Sequence, residues 1–266
     1  MATVVFFHAH PDDEAIATAG TMAQLAAEGH RVVLVTATRG ELGEVPDGFL
    51  EPGETLAERR AVELDAACRV LGVARHEFLG YGDSGMEGLD TNNDPGCFWQ
   101  ADVDEAAGRL AQILTEEGAD ALTAYDERGN YGHPDHIQVH RVGLRAGEMA
   151  ATPRVFMATI NRDYLLRLTE SAMGDELLAN TGERPDVDNL GVAEARLTTA
   201  VDVSAFLDQK RRAMESHASQ ISETSFFLSM PADAFAAIWG TEWYIRVGAE
   251  VTRPFETSLL AEAAGR

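Results

Sequence analysis

Lysine is almost missing from this 266-residue chain: Lys210 is the only one, and nearly all of the positive charge is carried by arginine. A Schiff-base or lysine-base mechanism would therefore rest on a single amine. Its neighbours, Asp208-Gln209-Lys210-Arg211-Arg212, show no sign of a desolvated amine with a depressed pKa. Cysteine is scarce as well. Cys68 and Cys97 are too few and too isolated for a disulfide framework or a Cys-x-x-Cys zinc site. Cys68 falls inside a helical pattern and is expected to be a small core residue. Positive charge is outnumbered, 21 Lys and Arg against 44 Asp and Glu, for a net charge of −23. That balance excludes nucleic acid and anionic membrane surfaces as partners, since both demand a basic face. Long apolar runs are also missing. The first, at residues 3–7, is short and has no basic segment before it, unlike a secretory signal. No run approaches the ~18–20 residues of a membrane span. A cytoplasmic protein is expected.

What remains is an ordinary globular composition, 45% hydrophobic and 24% charged. A chain of this length buries roughly 70–75% of its unfolded surface, so its fold needs no structural metal. Any metal here would serve chemistry.

The first 150 residues alternate short apolar runs with helical periodicity. Strands are predicted at 3–7, 31–38, 77–79 and 121–125. Helices are predicted at 15–28, 55–71, 103–117 and 134–149. Gly29, Gly72 and Gly118 serve as helix stops. Thr55-Leu56-Ala57-Glu58 has capping-box form, and Pro134 stands at a first helical position. This alternation predicts an α/β, Rossmann-like fold, a mostly parallel sheet with helices on both faces. Ligands of such sheets bind beyond the carboxyl ends of the strands. The second half is less regular. It offers strands at 155–160 and 242–248, helices at 164–178 and 205–217, and a polar loop at 180–189. With no repeat and no clean linker, residues 1–266 read as one domain, a core at 1–150 with a C-terminal elaboration at 151–266. The loops at 39–53 and 80–100 are long, and long ordered loops are usually functional.

Directly after the first strand stands His8-Ala9-His10-Pro11-Asp12-Asp13-Glu14. Capping of the following helix accounts for one or two of these acids. It does not account for two histidines just before them. A second cluster, Asp126-Glu127-Arg128-Gly129-Asn130-Tyr131-Gly132-His133-Pro134-Asp135-His136, again follows a strand. If the two strands are neighbours, the clusters converge. Imidazoles and carboxylates are the ligand set of a catalytic zinc with an open position.

Three other patterns carry less. His136 and His140 have H-x-x-x-H spacing, but Ile137-Gln138-Val139 between them lacks the glutamate base of a metalloprotease, so His140 reads as helix surface or a supporting residue. Gly80-Tyr81-Gly82-Asp83-Ser84-Gly85 matches G-x-G-x-x-G without opening a helix. Its Gly-Asp-Ser-Gly resembles a serine-protease nucleophile, yet that barrel is all-β and this chain is not.

Ala9-His10-Pro11-Asp12-Asp13-Glu14, paired with Gly132-His133-Pro134-Asp135-His136, resembles the PIG-L/LmbE-like N-acetylglucosaminyl deacetylase superfamily over roughly residues 3–145. Weaker echoes are Arg60-Ala61-Val62-Glu63-Leu64, Gly82-Asp83-Ser84-Gly85-Met86, and Lys210 through His217-Ala218-Ser219-Gln220. The resemblance implies one Zn2+ per chain held by His10, Asp13 and His136, with Asp12 left as general base. It implies Tyr131 and His133 at the oxyanion and a protonated His133 as acid for the leaving amine. Asp135 would orient the His133 imidazole, although a first-turn helix acid is an equal reading, and Tyr131 alone would read as a packed loop aromatic. Arg60 and Asp83 match positions that contact the sugar or its phosphate in relatives. Glu14 either accepts a sugar hydroxyl or caps its helix. His8 reads as a satisfied core histidine, and His217 as a residue reaching the site from the C-terminal part.

The expected function is a zinc-dependent hydrolase that removes an N-acyl group from an amino sugar or glycoside-type small molecule. Alternatives are an amidase of thiol conjugates, a natural-product tailoring deacetylase, and a silent zinc- or sugar-binding protein. The last would be expected to have lost Asp12 or His133. A two-metal phosphoesterase would need more ligands. The resemblance leaves assembly open between a monomer and a homo-oligomer.

Overall fold

Val4-Val5-Phe6-Phe7 shows no polar–apolar alternation, the mark of a strand covered on both faces. In the computed structural model, which describes residues 1–171, 174 and 187–261, this run lies inside the sheet as β1 (Thr3–His8), its last five residues buried. Around it run β2 (Arg31–Thr36), β3 (Arg75–Phe78), β4 (Ala121–Tyr125), β5 (Arg154–Thr159), β6 (Thr199–Asp202) and β7 (Thr241–Arg246). The seven strands form one sheet in the order β3-β2-β1-β4-β5-β7-β6. The first five are parallel. β7 pairs antiparallel with β5, and β6 antiparallel with β7.

The helices are α1 (Asp13–Ala17), α2 (Ala19–Ala27), α3 (Leu56–Leu71), α4 (Val103–Glu117), α5 (Gly129–Gly132), α6 (Pro134–Met149), α7 (Arg162–Thr169), α8 (Leu207–Ser216), α9 (Phe226–Ser229) and α10 (Ala232–Trp239). α4 packs on α6, while α2, α3 and α8 form a second group. The chain winds outward from β1 through β2 to β3, then returns to β4 and β5 on the other side. With right-handed crossovers, that reversal sends the two groups to opposite faces. The mostly parallel α/β sheet anticipated from the sequence is the fold observed.

The boundaries depart from expectation in instructive ways. The helix predicted at 15–28 is two helices broken at Thr18 (φ −138°). The break gives α2 a free N-terminus, where the Glu242 carboxylate accepts the Gly20 and Thr21 N–H groups at 2.9 Å each. β6 escaped the sequence pattern because it is a four-residue edge strand. Of the helix expected at 164–178, α7 is seen, and the remainder beyond 171 lies outside the described residues apart from 174. The polar loop at 180–189 lies outside them as far as residue 186.

Lys210 also differs from its sequence reading. It is fully buried, and its ammonium lies 2.6 Å from Glu242. The amine is desolvated but paired, so it offers no free nucleophile.

Candidate active site

The chain reverses direction across the sheet between β1 and β4, which are adjacent. At such a point the loops leaving the two carboxyl ends diverge and open a crevice. The two His/Asp clusters are the segments that leave β1 and β4.

After β1, Pro11 leads into Asp12, whose backbone adopts φ 114°, ψ −28°. A non-glycine residue in that region costs about 1–3 kcal/mol. Asp12 occupies the N-cap of α1 yet makes no capping bond through its side chain. Its N–H donates to Glu14 Oε2 at 3.0 Å, and its carboxylate faces Arg60 Nη2 at 3.2 Å. After β4, Asp126 Oδ1 accepts the N–H groups of Arg128 and Asn130, tying a tight turn. Gly129 (φ 60°) fits because a Cβ there would lie 2.4 Å from the His136 Cβ. The turn thereby sets Tyr131 over His136, ring centroids 4.8 Å apart. Pro134 then starts α6, with His133 as N-cap accepting the Asp135 N–H on Nδ1 at 3.1 Å.

The clusters meet. The rings of His10 and His133 are 4.7 Å apart, those of His10 and His136 5.4 Å, and those of His133 and His136 5.2 Å. One ring nitrogen from each lies within 4.8 Å of the others. Asp13 stands between two of them, Oδ2 3.5 Å from His10 Nδ1 and Oδ1 3.3 Å from His136 Nε2. On its far edge His10 Nε2 is 3.1 Å from Asp135 and 3.6 Å from Asp83. Among the described residues His136 Nδ1 is buried with no hydrogen-bond partner. Three imidazoles, an unpartnered ring nitrogen and an excess of carboxylates form a donor set that fits a divalent cation. A carboxylate behind a candidate ligand, as Asp135 stands behind His10, is the usual way to orient a metal-binding imidazole.

The electrostatics sort these groups. Burial opposes a charged His10, yet Asp13, Asp135 and Asp83 outweigh it and hold its pKa well above 6.5. Burial likewise opposes an ionised Asp13, but His136 and His10 keep its carboxyl well below the usual range. Asp12 goes the other way. Burial lifts it from 3.8 to about 6, with the Arg60 cation working against the rise. Burial and the positive potential of His10 and His136 lower His133 to about 4. With Nδ1 accepting and the ring neutral, the His133 proton sits on Nε2.

Several sequence expectations shift here. Asp135 was to orient His133 with its carboxylate. The carboxylate instead faces His10 and accepts from Ser84 N–H (3.0 Å) and Ser84 Oγ, and only the Asp135 backbone N–H serves His133. Arg60 is only 4% exposed and donates to the carbonyls of Pro11 (2.5 Å) and Gly40 (2.7 Å), so it clamps the first cluster and leaves little for a sugar. Glu14 is fully buried against His217 Nε2 at 2.6 Å, where no sugar hydroxyl reaches it. Asp83 is held by the N–H groups of Leu42 (3.1 Å) and Gly85 (2.8 Å) beside His10. Tyr131 stays 45% exposed, its hydroxyl 3.5 Å from His136 Nε2. His8 is the satisfied core histidine expected, bonded to Tyr125 (2.6 Å) and Thr18 (2.8 Å). His140 holds the Tyr125 carbonyl at 2.9 Å. No sequence signal gives Ser84 its role, because its motif offers a dinucleotide loop, a nucleophile or a family echo, whereas the loop brings it to Asp135 as a support.

Residues 5–147 match the family described as PIG-L: GlcNAc-PI de-N-acetylase. The chain is 41% identical to the 1D-myo-inositol 2-acetamido-2-deoxy-alpha-D-glucopyranoside deacetylase of Acidothermus cellulolyticus, over 91% of this chain and 88% of that protein. Among solved structures, the zinc-inhibited form of teicoplanin deacetylase Orf2 superposes with a TM-score of 0.60 at 19% identity, covering 94% of this chain and all of that one. The 4-carboxy-2-hydroxymuconate hydratase GalB of Pseudomonas putida KT2440 superposes with a TM-score of 0.56 at 18% identity, covering 95% and 98%. A deacetylase and a hydratase on one scaffold show that the fold alone does not settle the chemistry. The family match over more than half of the chain and the identity to its curated relatives do establish descent: this chain belongs to the PIG-L family of de-N-acetylases.

Proposed function

We propose that the chain is a zinc-dependent N-deacetylase that hydrolyses the acetamide of a 2-acetamido-2-deoxyglucoside, of the inositol-linked kind named for its relatives. The observation that carries this reading is Asp12: a carboxyl next to Asp13, which stands between His10 and His136, unused as a helix cap and with its pKa raised to about 6 by burial.

His10, Asp13 and His136 are the proposed ligands, one neutral or anionic donor from each of three positions on the two clusters. The chemistry a zinc ion supplies when bound there is Lewis-acid polarisation of the amide carbonyl and acidification of a coordinated water. Asp12 takes the proton from the attacking water. Its pKa near neutrality suits it both to accept that proton and to return it, so the protonated Asp12 also delivers it to the leaving nitrogen. The carbon–nitrogen bond breaks, acetate forms, and the sugar amine leaves. His133 presents its Nε2–H to the carbonyl oxygen as charge develops, and Tyr131 borders the same space from the open side. Asp135, fixed by Ser84, holds the far edge of His10. Asp83, its Oδ1 3.6 Å from His10 Nε2, is the proposed acceptor of a sugar hydroxyl. Two unpaired thiols, Cys68 and Cys97, accord with a reducing, cytoplasmic setting.

The test is turnover of a panel of N-acetylated amino sugars by the zinc-loaded protein, read as free amine. Release from a 2-acetamido-2-deoxyglucoside, lost on chelation and restored by zinc, is the expected result. Metal at one equivalent with no amine released from any N-acetyl sugar would refute it.

A further inference from the structure

The backbone N–H of Asp12, in its costly conformation, bonds to a carboxylate that is itself paired with a residue 203 positions further along the chain. The Asp12 N–H donates to Glu14 Oε2 at 3.0 Å. The other oxygen of that carboxylate lies 2.6 Å from His217 Nε2. Glu14 and His217 are both fully buried. A carboxylate so placed keeps its position only while its partner stays, because an unpaired buried charge protonates or moves toward water.

His217 is itself built in. It follows α8 immediately, its N–H bonds to the Met214 carbonyl at 3.1 Å, and its own carbonyl receives the N–H groups of Gln220 (2.9 Å) and Ile221 (2.8 Å). Two residues on, Ser219 is gripped by Glu63 of α3 through N–H (2.9 Å) and Oγ (2.7 Å). The segment is thus fastened to the core on either side of the histidine, and the histidine points at Glu14.

We propose that Glu14 and His217 are a positioning pair that fixes the left-handed backbone of Asp12 and so aims its carboxylate at the reacting water; this rests on the reading of Asp12 as the base. Neither side chain touches substrate. The C-terminal segment thereby becomes part of the catalytic geometry.

The experiment measures kcat, KM and metal per chain on a 2-acetamido-2-deoxyglucoside for the parent, His217→Leu, His217→Gln, Asp12→Asn and the His217→Leu/Asp12→Asn double variant. Leucine removes the donor, and glutamine places an amide N–H close to where Nε2 stands. His217→Leu should lower kcat about 10–100-fold, as a misplacement of about 1 Å does, with KM and metal content little changed. His217→Gln should restore kcat to within about threefold. On the Asp12→Asn background the leucine should change the residual rate by less than about twofold, because aiming a base that is gone costs nothing. If the leucine chain fails to fold, His217→Asn, too short to reach Glu14, replaces it with the same expected outcomes. An equal loss on both backgrounds, no loss at all, or a folded His217→Gln as slow as the leucine variant overturns the positioning role alone. Parent-like turnover by Asp12→Asn overturns the base assignment and this proposal with it.

Discussion

Replacing Asp12 by asparagine keeps the shape of the side chain, suits a positive φ, and removes one charge. Two effects of opposite sign follow. The first is on stability. The folded-state pKa of Asp12 lies near 6, above its usual 3.8. The folded chain therefore binds this proton more tightly than the unfolded chain does, and ionising Asp12 weakens the fold. The cost is absent below about pH 4, grows as pH rises from about 4 to about 6, and is complete at pH 7. Two decades at 1.36 kcal/mol each set it at about 3 kcal/mol. Asparagine escapes that cost but leaves Arg60, 3.2 Å away, without its anion, so 3 kcal/mol is a ceiling. At roughly 2–4 °C per kcal/mol for a chain of this size, Tm of the metal-stripped variant at pH 7.5 should exceed that of the parent by several degrees. At pH 4 the two should melt together. The second effect is on rate: kcat should fall ~10²–10⁴-fold while metal stays bound. Calorimetry at the two pH values, with amine release and metal analysis, reads both. A variant that melts lower than the parent at pH 7.5, or turns over within tenfold of it, refutes the argument.

His10→Ala and His136→Ala should each lose metal and activity together, and full metal occupancy after either change would contradict the ligand assignment. Arg60→Gln removes the cation that opposes the rise of Asp12; the acidic limb of kcat/KM should then move to higher pH, and an unmoved limb would show that Arg60 does not act on Asp12. His133→Phe should cost ~10²–10³-fold in kcat, as loss of one oxyanion donor does, while leaving that acidic limb in place; a limb that vanished would return proton transfer to His133. Lys210→Met strands the buried Glu242 carboxylate with its remaining partners, the N–H groups of Gly20 and Thr21 and the Tyr244 hydroxyl. It should cost about 3 kcal/mol, read as a fall in Tm, and an unchanged Tm would show that the pair is not stabilising.

The parallel core and the meeting of the two clusters were legible because each depends on local signals. An unalternating run such as Val4-Val5-Phe6-Phe7 can be little else than a covered strand, and a helix stop followed by another such run implies a crossover. His10 and His136 could be placed together because the carboxyl ends of neighbouring parallel strands are the one place where loops 120 residues apart must converge. Orientation was not legible. That Asp135 turns to His10 and leaves His133 to its backbone follows from Ser84 arriving out of a separate loop. The burial of Lys210 follows from Glu242 waiting at a helix break that periodicity had smoothed over.

What the sequence hid has a common form. Glu14 reads locally as a helix-start acid or a sugar contact, His217 as a residue reaching the site from the C-terminal part, and Glu242 as the first residue of a strand. Each makes sense only with its partner, and the partners stand 203 and 32 residues apart. Long-range pairs of buried charges leave no periodicity, because one residue of each kind suffices and neither needs a neighbour in sequence. They do leave a thermodynamic trace: a buried charge persists only where another answers it. The second half of the chain, irregular as a pattern, supplies those answers. β7 brings Glu242 to the N-terminus of α2, α8 brings Lys210 to Glu242, and the turn after α8 brings His217 to Glu14. The described residues from 207 to 246 therefore carry scaffolding for the proposed site, whose proposed reacting residues all lie before them.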